Sequence, residues 1–182
     1  MNSSSDHPNS PFISVCIPTY NRPDLFCRLM DSLQAQKGVE FEVVISDDST
    51  DNRIQKCVEL RNKDFSSKRL RYWKNPTSLG PSQNWNKSIS LAKGRYIKIM
   101  HHDDWFPQDN CLLRFEQLAQ HYPEASLIFS DSLIHDPKGE FVRRHVPEKK
   151  YLEAFMGDPG WIFPRNFIGP PSSVLFKNNK NI

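Results

Sequence analysis

Phe41-Glu42-Val43-Val44-Ile45-Ser46-Asp47-Asp48-Ser49-Thr50-Asp51 is the stretch on which the fold turns. Val43-Val44-Ile45 is apolar at consecutive positions, which suits a strand covered on both faces, because such a strand has no solvent side to keep polar. The run then breaks into acids and hydroxyls, so the strand ends near Ser46 and a polar loop follows. Working outward, short β-branched or aromatic runs predict further strands at Phe12 to Ile17, Leu70 to Trp73, Tyr96 to Met100 and Ser126 to Phe129. Between them Leu25, Phe26, Leu29, Met30 and Leu33 form an apolar stripe at helical spacing. Trp85, Ile89 and Ala92 form a second stripe, and Leu112, Phe115, Leu118 and Ala119 a third. Strands alternating with helices predict an α/β domain, a Rossmann-like and mostly parallel sheet with helices on both faces.

In such sheets ligands bind outside the carboxyl ends of the strands. Three polar clusters fall there and are expected to converge: Pro18-Thr19-Tyr20-Asn21-Arg22, Asp47 to Asp51, and His101-His102-Asp103-Asp104. In the first, Asn21 or Thr19 can cap the next helix and Pro23 can open it. Tyr20 offers a face for stacking on a base, and Arg22 a guanidinium that can approach phosphate. In the second, Asp47 and Asp48 exceed what one helix cap requires, and a carboxylate is a good acceptor for the N–H groups of a base. The third cluster closes the run Ile97-Lys98-Ile99-Met100, where ionised carboxylates are costly to desolvate without a partner. Aspartate oxygens suit Mg2+ or Mn2+, and an adjacent imidazole tilts the choice towards Mn2+. Strand alternation limits the members of this quartet that can reach one ion.

The 182 residues suffice for one sizeable core. Residues 1–11 read as a flexible lead-in and residues 12–182 as the domain, with 135–166 irregular enough for a hairpin and loops, and Ser172 to Phe176 as one more strand. A net charge of +3, with Lys and Arg spread along the chain, gives no nucleic-acid footprint. No apolar run approaches the roughly 18 to 20 residues of a membrane span. Cys16, Cys27, Cys57 and Cys111 are widely spaced without a C-x-x-C pair, which favours reduced thiols and a cytoplasmic chain. Attachment at the cytoplasmic membrane face through a segment beyond Ile182 stays open. Neither G-x-x-x-x-G-K-[ST] nor G-x-G-x-x-G occurs, which removes the usual ATP and NAD fingerprints. Trp85 reads as a core residue, and Asn84 and Asn86 are left unassigned.

In order along the chain stand V-x-I-P-T-Y-N-R-P from Val15, V-V-I-S-D-D-S-T-D from Val43, G-x-x-x-N-x-N-x-x-I-x-x-A-x-G-x-Y-I from Gly80 to Ile97, and the acidic site ending in Asp103-Asp104. This ordered set resembles the family 2 glycosyltransferases, from about Phe12 to about Asp109 and more weakly through Phe176. The resemblance implies a GT-A fold, a nucleotide-diphosphate-sugar donor, Mn2+ or Mg2+, and transfer with inversion to a saccharide, lipid-linked or protein acceptor, as in polysaccharide biosynthesis. It implies that Pro18, Thr19, Tyr20, Arg22, Asp48 and, less directly, Asp47 line the nucleotide pocket with His102. Asp103 would then be the metal ligand, joined by His101, which stands where the motif has its first acid. Asp104 is the neighbour able to reach donor sugar or acceptor and is the catalytic candidate. In the family the general base lies downstream of the Ser172 to Phe176 strand, so it is not identified here and the domain is expected to be incomplete on its acceptor side. The competing readings are a nucleotide-sugar-binding module without turnover and a metal-dependent phosphoester hydrolase built on His101 to Asp104.

Overall fold

The computed structural model describes residues 11–63, 65, 69–162 and 166–179. The expected lead-in therefore lies outside the described residues, apart from Pro11. Five strands of the main sheet precede the chain's last: β1 (Ile13–Thr19), β2 (Phe41–Asp47), β3 (Leu70–Lys74), β4 (Tyr96–Ile99) and β5 (Leu127–Phe129). A hairpin of β6 (Ser132–His135) and β7 (Phe141–His145) follows, and β8 (Val174–Lys177) returns to the main sheet. The helices are α1 (Pro23–Gln34), α2 (Arg53–Arg61), α3 (Pro81–Leu91), α4 (Cys111–His121) and α5 (Lys149–Gly157). The main sheet has the order β3-β2-β1-β4-β8-β5. β1, β2, β3 and β4 are mutually parallel, and only β8 runs against its neighbours β4 and β5.

Side-chain alternation along the strands divides the core into two layers. Ile13, Val15, Ile17, Val43 and Ile45 pack with Phe26, Leu29, Met30 and Leu33 of α1, Ile54 and Val58 of α2, and Leu112 and Phe115 of α4. On the opposite face Cys16, Val44, Ile97 and Ile99 pack with Trp85, Ile89 and Leu91 of α3. Helices thus cover both faces, as the continuous apolarity of Val43-Val44-Ile45 requires.

Near the amino ends of the strands a buried polar network locks β1 and β2 to the turn that starts β4. Ser14 donates to Glu42 Oε1 at 2.6 Å and accepts from the Gly94 amide at 2.7 Å. Glu42 Oε1 also accepts from the Lys93 amide, while its Oε2 meets Arg71 at 2.7 Å. A Cβ on Gly94 would lie 2.6 Å from the Ser14 backbone nitrogen, so only glycine lets the two backbones approach this closely.

Two elements depart from the sequence reading. The hairpin expected within 135–166 forms, starting at Ser132, but α5 occupies part of the stretch read as loop. None of its residues is buried, and its short stripe of Tyr151, Leu152 and Phe155, of which Tyr151 and Phe155 meet the Phe167 ring, is hidden in sequence by the Pro, Gly and charged residues around it. The four cysteines were expected as reduced thiols; instead Cys27 and Cys57 form a disulfide, in which Cys16 and Cys111 take no part. The two lie 30 residues apart in sequence, and the side-by-side packing of α1 and α2 that brings them together is invisible to a spacing rule. The cysteines therefore do not argue for a reducing compartment. No helix among the described residues is long and apolar enough to cross a membrane.

Candidate functional site

The carboxyl ends of β1, β2 and β4 converge as expected, and backbone and side-chain bonds join the first two loops. The Asp48 amide donates to Thr19 O at 3.0 Å. Asn21, at φ 53°, sits in the left-handed region that asparagine tolerates better than most residues. Its amide donates to Ser49 Oγ at 2.9 Å, and its Oδ1 accepts from the Thr50 amide at 2.9 Å. Asn21 therefore bridges two loops; it does not cap α1, which has no side-chain cap.

The residues assigned to the nucleotide from sequence divide into two groups. Tyr20 is exposed, and Arg22 reaches solvent beside Asp24 at 3.6 Å. Pro18 and Thr19 are buried, and Thr19 Oγ1 has no hydrogen-bond partner. Asp47 is completely buried and fully used: Oδ1 accepts from the Ser49 amide at 2.8 Å, and Oδ2 from Tyr72 at 2.7 Å and Lys74 at 3.2 Å. Asp48 is 5% exposed, and its carboxylate gathers the 75–80 segment. Oδ1 accepts from Asn75 at 2.7 Å; Oδ2 accepts from Ser78 at 3.1 Å and from the Leu79 and Gly80 amides at 2.8 and 2.9 Å. Asn84, left unassigned from sequence, holds Asn75 at 3.1 Å and Thr19 O at 3.3 Å. The acids after β2 build the pocket's wall and leave few acceptor positions for a ligand.

After β4 the chain turns at once, the Asp104 amide donating to His101 O at 3.1 Å. The turn replaces strand alternation, so His101, Asp103 and Asp104 place ligand atoms within 4.8 Å of one another while His102 stands apart. His101 packs against Trp85 at 4.6 Å, with Nδ1 3.7 Å from Asp104 Oδ2. His101 Nε2 and Asp104 Oδ2 are buried and lack hydrogen-bond partners. Two carboxylates and an imidazole with orphaned atoms, spanning roughly the 4 to 5 Å that two ligands of one ion can, fit a small divalent cation. Burial lowers the His102 pKa against the opposing Asp103 carboxylate, with the Arg22 cation adding to the fall. Burial raises that of Asp104, against a hydrogen bond from Ser172.

Arg28, which nothing in the sequence pattern singled out, buttresses this turn. Its guanidinium lies 3.7 Å over the Trp105 ring and donates to Asp103 O at 3.3 Å. Trp105 in turn contacts His135 of the hairpin at 4.7 Å. Beyond Asp104 opens a cavity of about 550 Å3 between β4, α4, β5 and β6, with Lys98 in its lining.

The profile described as glycosyl transferase family 2 matches residues 14–172. An uncharacterized protein of Mycobacterium tuberculosis is 39% identical over 189 residues, covering 95% of this chain and 56% of the relative. The chain thus spans little more than half the length of that relative. Among solved structures, S. aureus TarS 1-349 in complex with UDP-GlcNAc superposes with a TM-score of 0.62 at 25% identity, over 75% of this chain and 38% of that one. The mannosyltransferase PcManGT of Pyrobaculum calidifontis, in complex with GDP-Man and Mn2+, shares the fold with a TM-score of 0.59 at 22% identity, over 72% of this chain and 37% of its own. With the ordered motifs mapping onto the β1, β2 and β4 ends of one mostly parallel sheet, the chain belongs to glycosyl transferase family 2 and has the GT-A fold.

Proposed function

We propose that the chain transfers a sugar, with inversion, from a nucleotide-diphosphate donor to an acceptor that enters the cavity beside Asp104. The observation that carries this reading is the position of Asp104, which belongs to the His101–Asp103–Asp104 cluster on one side and lines the cavity on the other. His101 and Asp103 would hold a divalent ion, Mn2+ or Mg2+, which when bound stabilises negative charge on a diphosphate. Tyr20, Arg22 and His102 offer the accessible surface for the nucleotide, over a floor of Pro18 and Thr19. Asp47 and Asp48 shape that floor through the 75–80 segment, so their part in nucleotide binding is indirect.

In the transfer the bond between anomeric carbon and diphosphate oxygen breaks, and its electron pair leaves with the diphosphate. The acceptor hydroxyl oxygen attacks from the opposite face, and its proton passes to a carboxylate. We assign that role to Asp104, in preference to a base downstream of the Ser172 to Phe176 strand, because it borders both the cluster and the cavity. The likeness to structures holding UDP-GlcNAc and GDP-Man supports a nucleotide-sugar donor and leaves the base open. Calorimetric titration of UDP and GDP with and without Mn2+ tests the reading. Metal-dependent binding that disappears in Asp103→Ala supports it, and nucleotide binding indifferent to both metal and Asp103 overturns it.

A further inference from the structure

Strand alternation turns Ile97 and Ile99 of β4 towards α3 and Lys98 towards α4. The Lys98 side chain is 1% exposed, and Nζ has no hydrogen-bond partner. Its nearest company is the Phe115 ring, 3.9 Å from Nζ to the centroid. An ammonium in that position is expensive unless an anion joins it. It lines the 550 Å3 cavity, about half of whose lining residues are aromatic or aliphatic, including Phe106, Phe129 and Leu133. Of the other charges on that lining, Asp131 is already paired with Arg144 through Nε at 2.8 Å, and Asp104 belongs to the metal-type cluster. Arg114 adds a further cation. The cavity thus presents an unpaired buried cation, apolar surface able to face the C–H side of a sugar, and a volume in the range of small-molecule sites.

We infer that this cavity is an acceptor subsite for an acidic sugar, whose carboxylate or phosphate pairs with Lys98 while a hydroxyl is presented towards Asp104. The inference rests on the transferase reading only for the word acceptor; binding of an acidic sugar is a separate property of the cavity. The charge matches: of the buried polar atoms on the cavity wall without a hydrogen bond, Lys98 Nζ, Asp104 Oδ2 and Ser132 Oγ, the cation is the one an anion completes.

The test titrates the 182-residue chain with glucuronate, glucose 6-phosphate and glucose, read by ligand-observed NMR. The expected result is at least tenfold tighter binding of one or both acidic sugars than of glucose, with the better of the two identifying the oxyanion. Lys98→Met should reduce that preference to less than twofold. Equal binding of acidic and neutral sugars, or a preference that survives Lys98→Met, overturns the inference. Should that variant fail to fold, Leu118→Trp gives the second arm. Leu118 lies at the cavity lining on the exposed side of α4, and the larger ring there should block acidic sugars; binding that persists overturns the inference as well. UDP binding with Mn2+ is followed separately on the parent chain. Its absence sinks the donor-site reading and leaves the sugar titration to judge the cavity.

Discussion

Replacing Lys98 with Met removes a buried charge that has no hydrogen-bond partner and should stabilise the fold. Burial lowers the Lys98 pKa from 10.5 to about 7, with the Cys111 and Asp104 charges acting in the opposite direction. At about 1.4 kcal/mol per pKa unit, that fall corresponds to about 5 kcal/mol of stability lost to protonation of the unfolded chain. The sign follows from the depressed folded pKa. Above pH 10.5 the amine is neutral in both states, and stability is lost as pH falls from about 10.5 to about 7, after which the loss is constant. At pH 7 the loss is about 4 kcal/mol, and at pH 9.5 about 1.5 kcal/mol. Met lacks the charge and keeps most of the stem's volume, but gives up the contact with Phe115, worth about 0.5 to 2 kcal/mol. The variant should therefore exceed the parent by about 2 to 4 kcal/mol at pH 7 and by much less at pH 9.5. The charged groups around the cavity are Cys111 and Arg114 of α4, Asp104 of the turn, and the Asp131–Arg144 pair across it. The comparison is best made in a Cys111→Ser background, which removes the Cys111 charge that acts on Lys98. Urea denaturation followed by circular dichroism at both pH values gives the two differences. A Met variant less stable than the parent at pH 7, or a difference independent of pH, would show that Lys98 is satisfied and would refute the reasoning. A stabilising substitution that also erases acidic-sugar binding is the trade expected at a functional position.

Asp48→Ala removes the acceptor for four donors of the 75–80 segment and should cost about 2 to 4 kcal/mol by urea denaturation; a cost under about 0.5 kcal/mol would mean that the segment holds itself. Asp103→Ala, by contrast, changes an exposed residue and should leave stability within about 0.5 kcal/mol while abolishing the Mn2+-dependent part of UDP affinity in calorimetry. Gly94→Ala forces a Cβ against the Ser14 backbone and should destabilise by about 1 to 3 kcal/mol or more, seen as a fall in thermal midpoint; an unchanged midpoint would contradict the close approach. Reducing the Cys27–Cys57 bridge frees a loop of 30-residue separation and should cost about 3 kcal/mol, with denaturing alkylation labelling two cysteines before reduction and all four after it.

Most of the sheet was legible in the sequence because parallel strands covered on both faces must be apolar throughout, and helices packed on them must carry stripes. Val43-Val44-Ile45 and the Phe26–Leu29–Met30–Leu33 stripe follow from that requirement, and the structure buries all of them. α5 was missed although Tyr151, Leu152 and Phe155 stand at helical spacing, because the helix is short and the Pro, Gly and charged residues around it read as loop. The Cys27–Cys57 bridge was not legible either, since it depends on how two helices lie against each other. At the site, convergence of the three strand ends was readable from topology alone. The resemblance joined His101 to Asp103 with Asp104 beside them, but the turn that brings all three ligand atoms within 4.8 Å of one another was not readable from an extended strand.

Asp47, Asp48 and Lys98 show why residue type at a strand end is a weaker guide than the state of its hydrogen bonds. Asp47 and Asp48 have the composition of a ligand pair, yet every acceptor contact described for them goes to the chain, and what they build is the wall formed by Lys74, Asn75 and the 78–80 turn. Lys98 sits inside a strand where an aliphatic residue would pack without cost, and its sequence neighbours give no hint of a role. A fully desolvated ammonium with no acceptor is tolerated only at a substantial loss of stability, whereas a satisfied carboxylate carries no such cost. The unsatisfied group is therefore the one that points to a ligand. On the proposed reading, His101 Nε2, Asp104 Oδ2 and Thr19 Oγ1, all buried and without partners, would trace the donor's path from nucleotide to metal to cavity. A donor lying along that path would bring its anomeric carbon near Asp104, where an acidic acceptor anchored on Lys98 could present its hydroxyl.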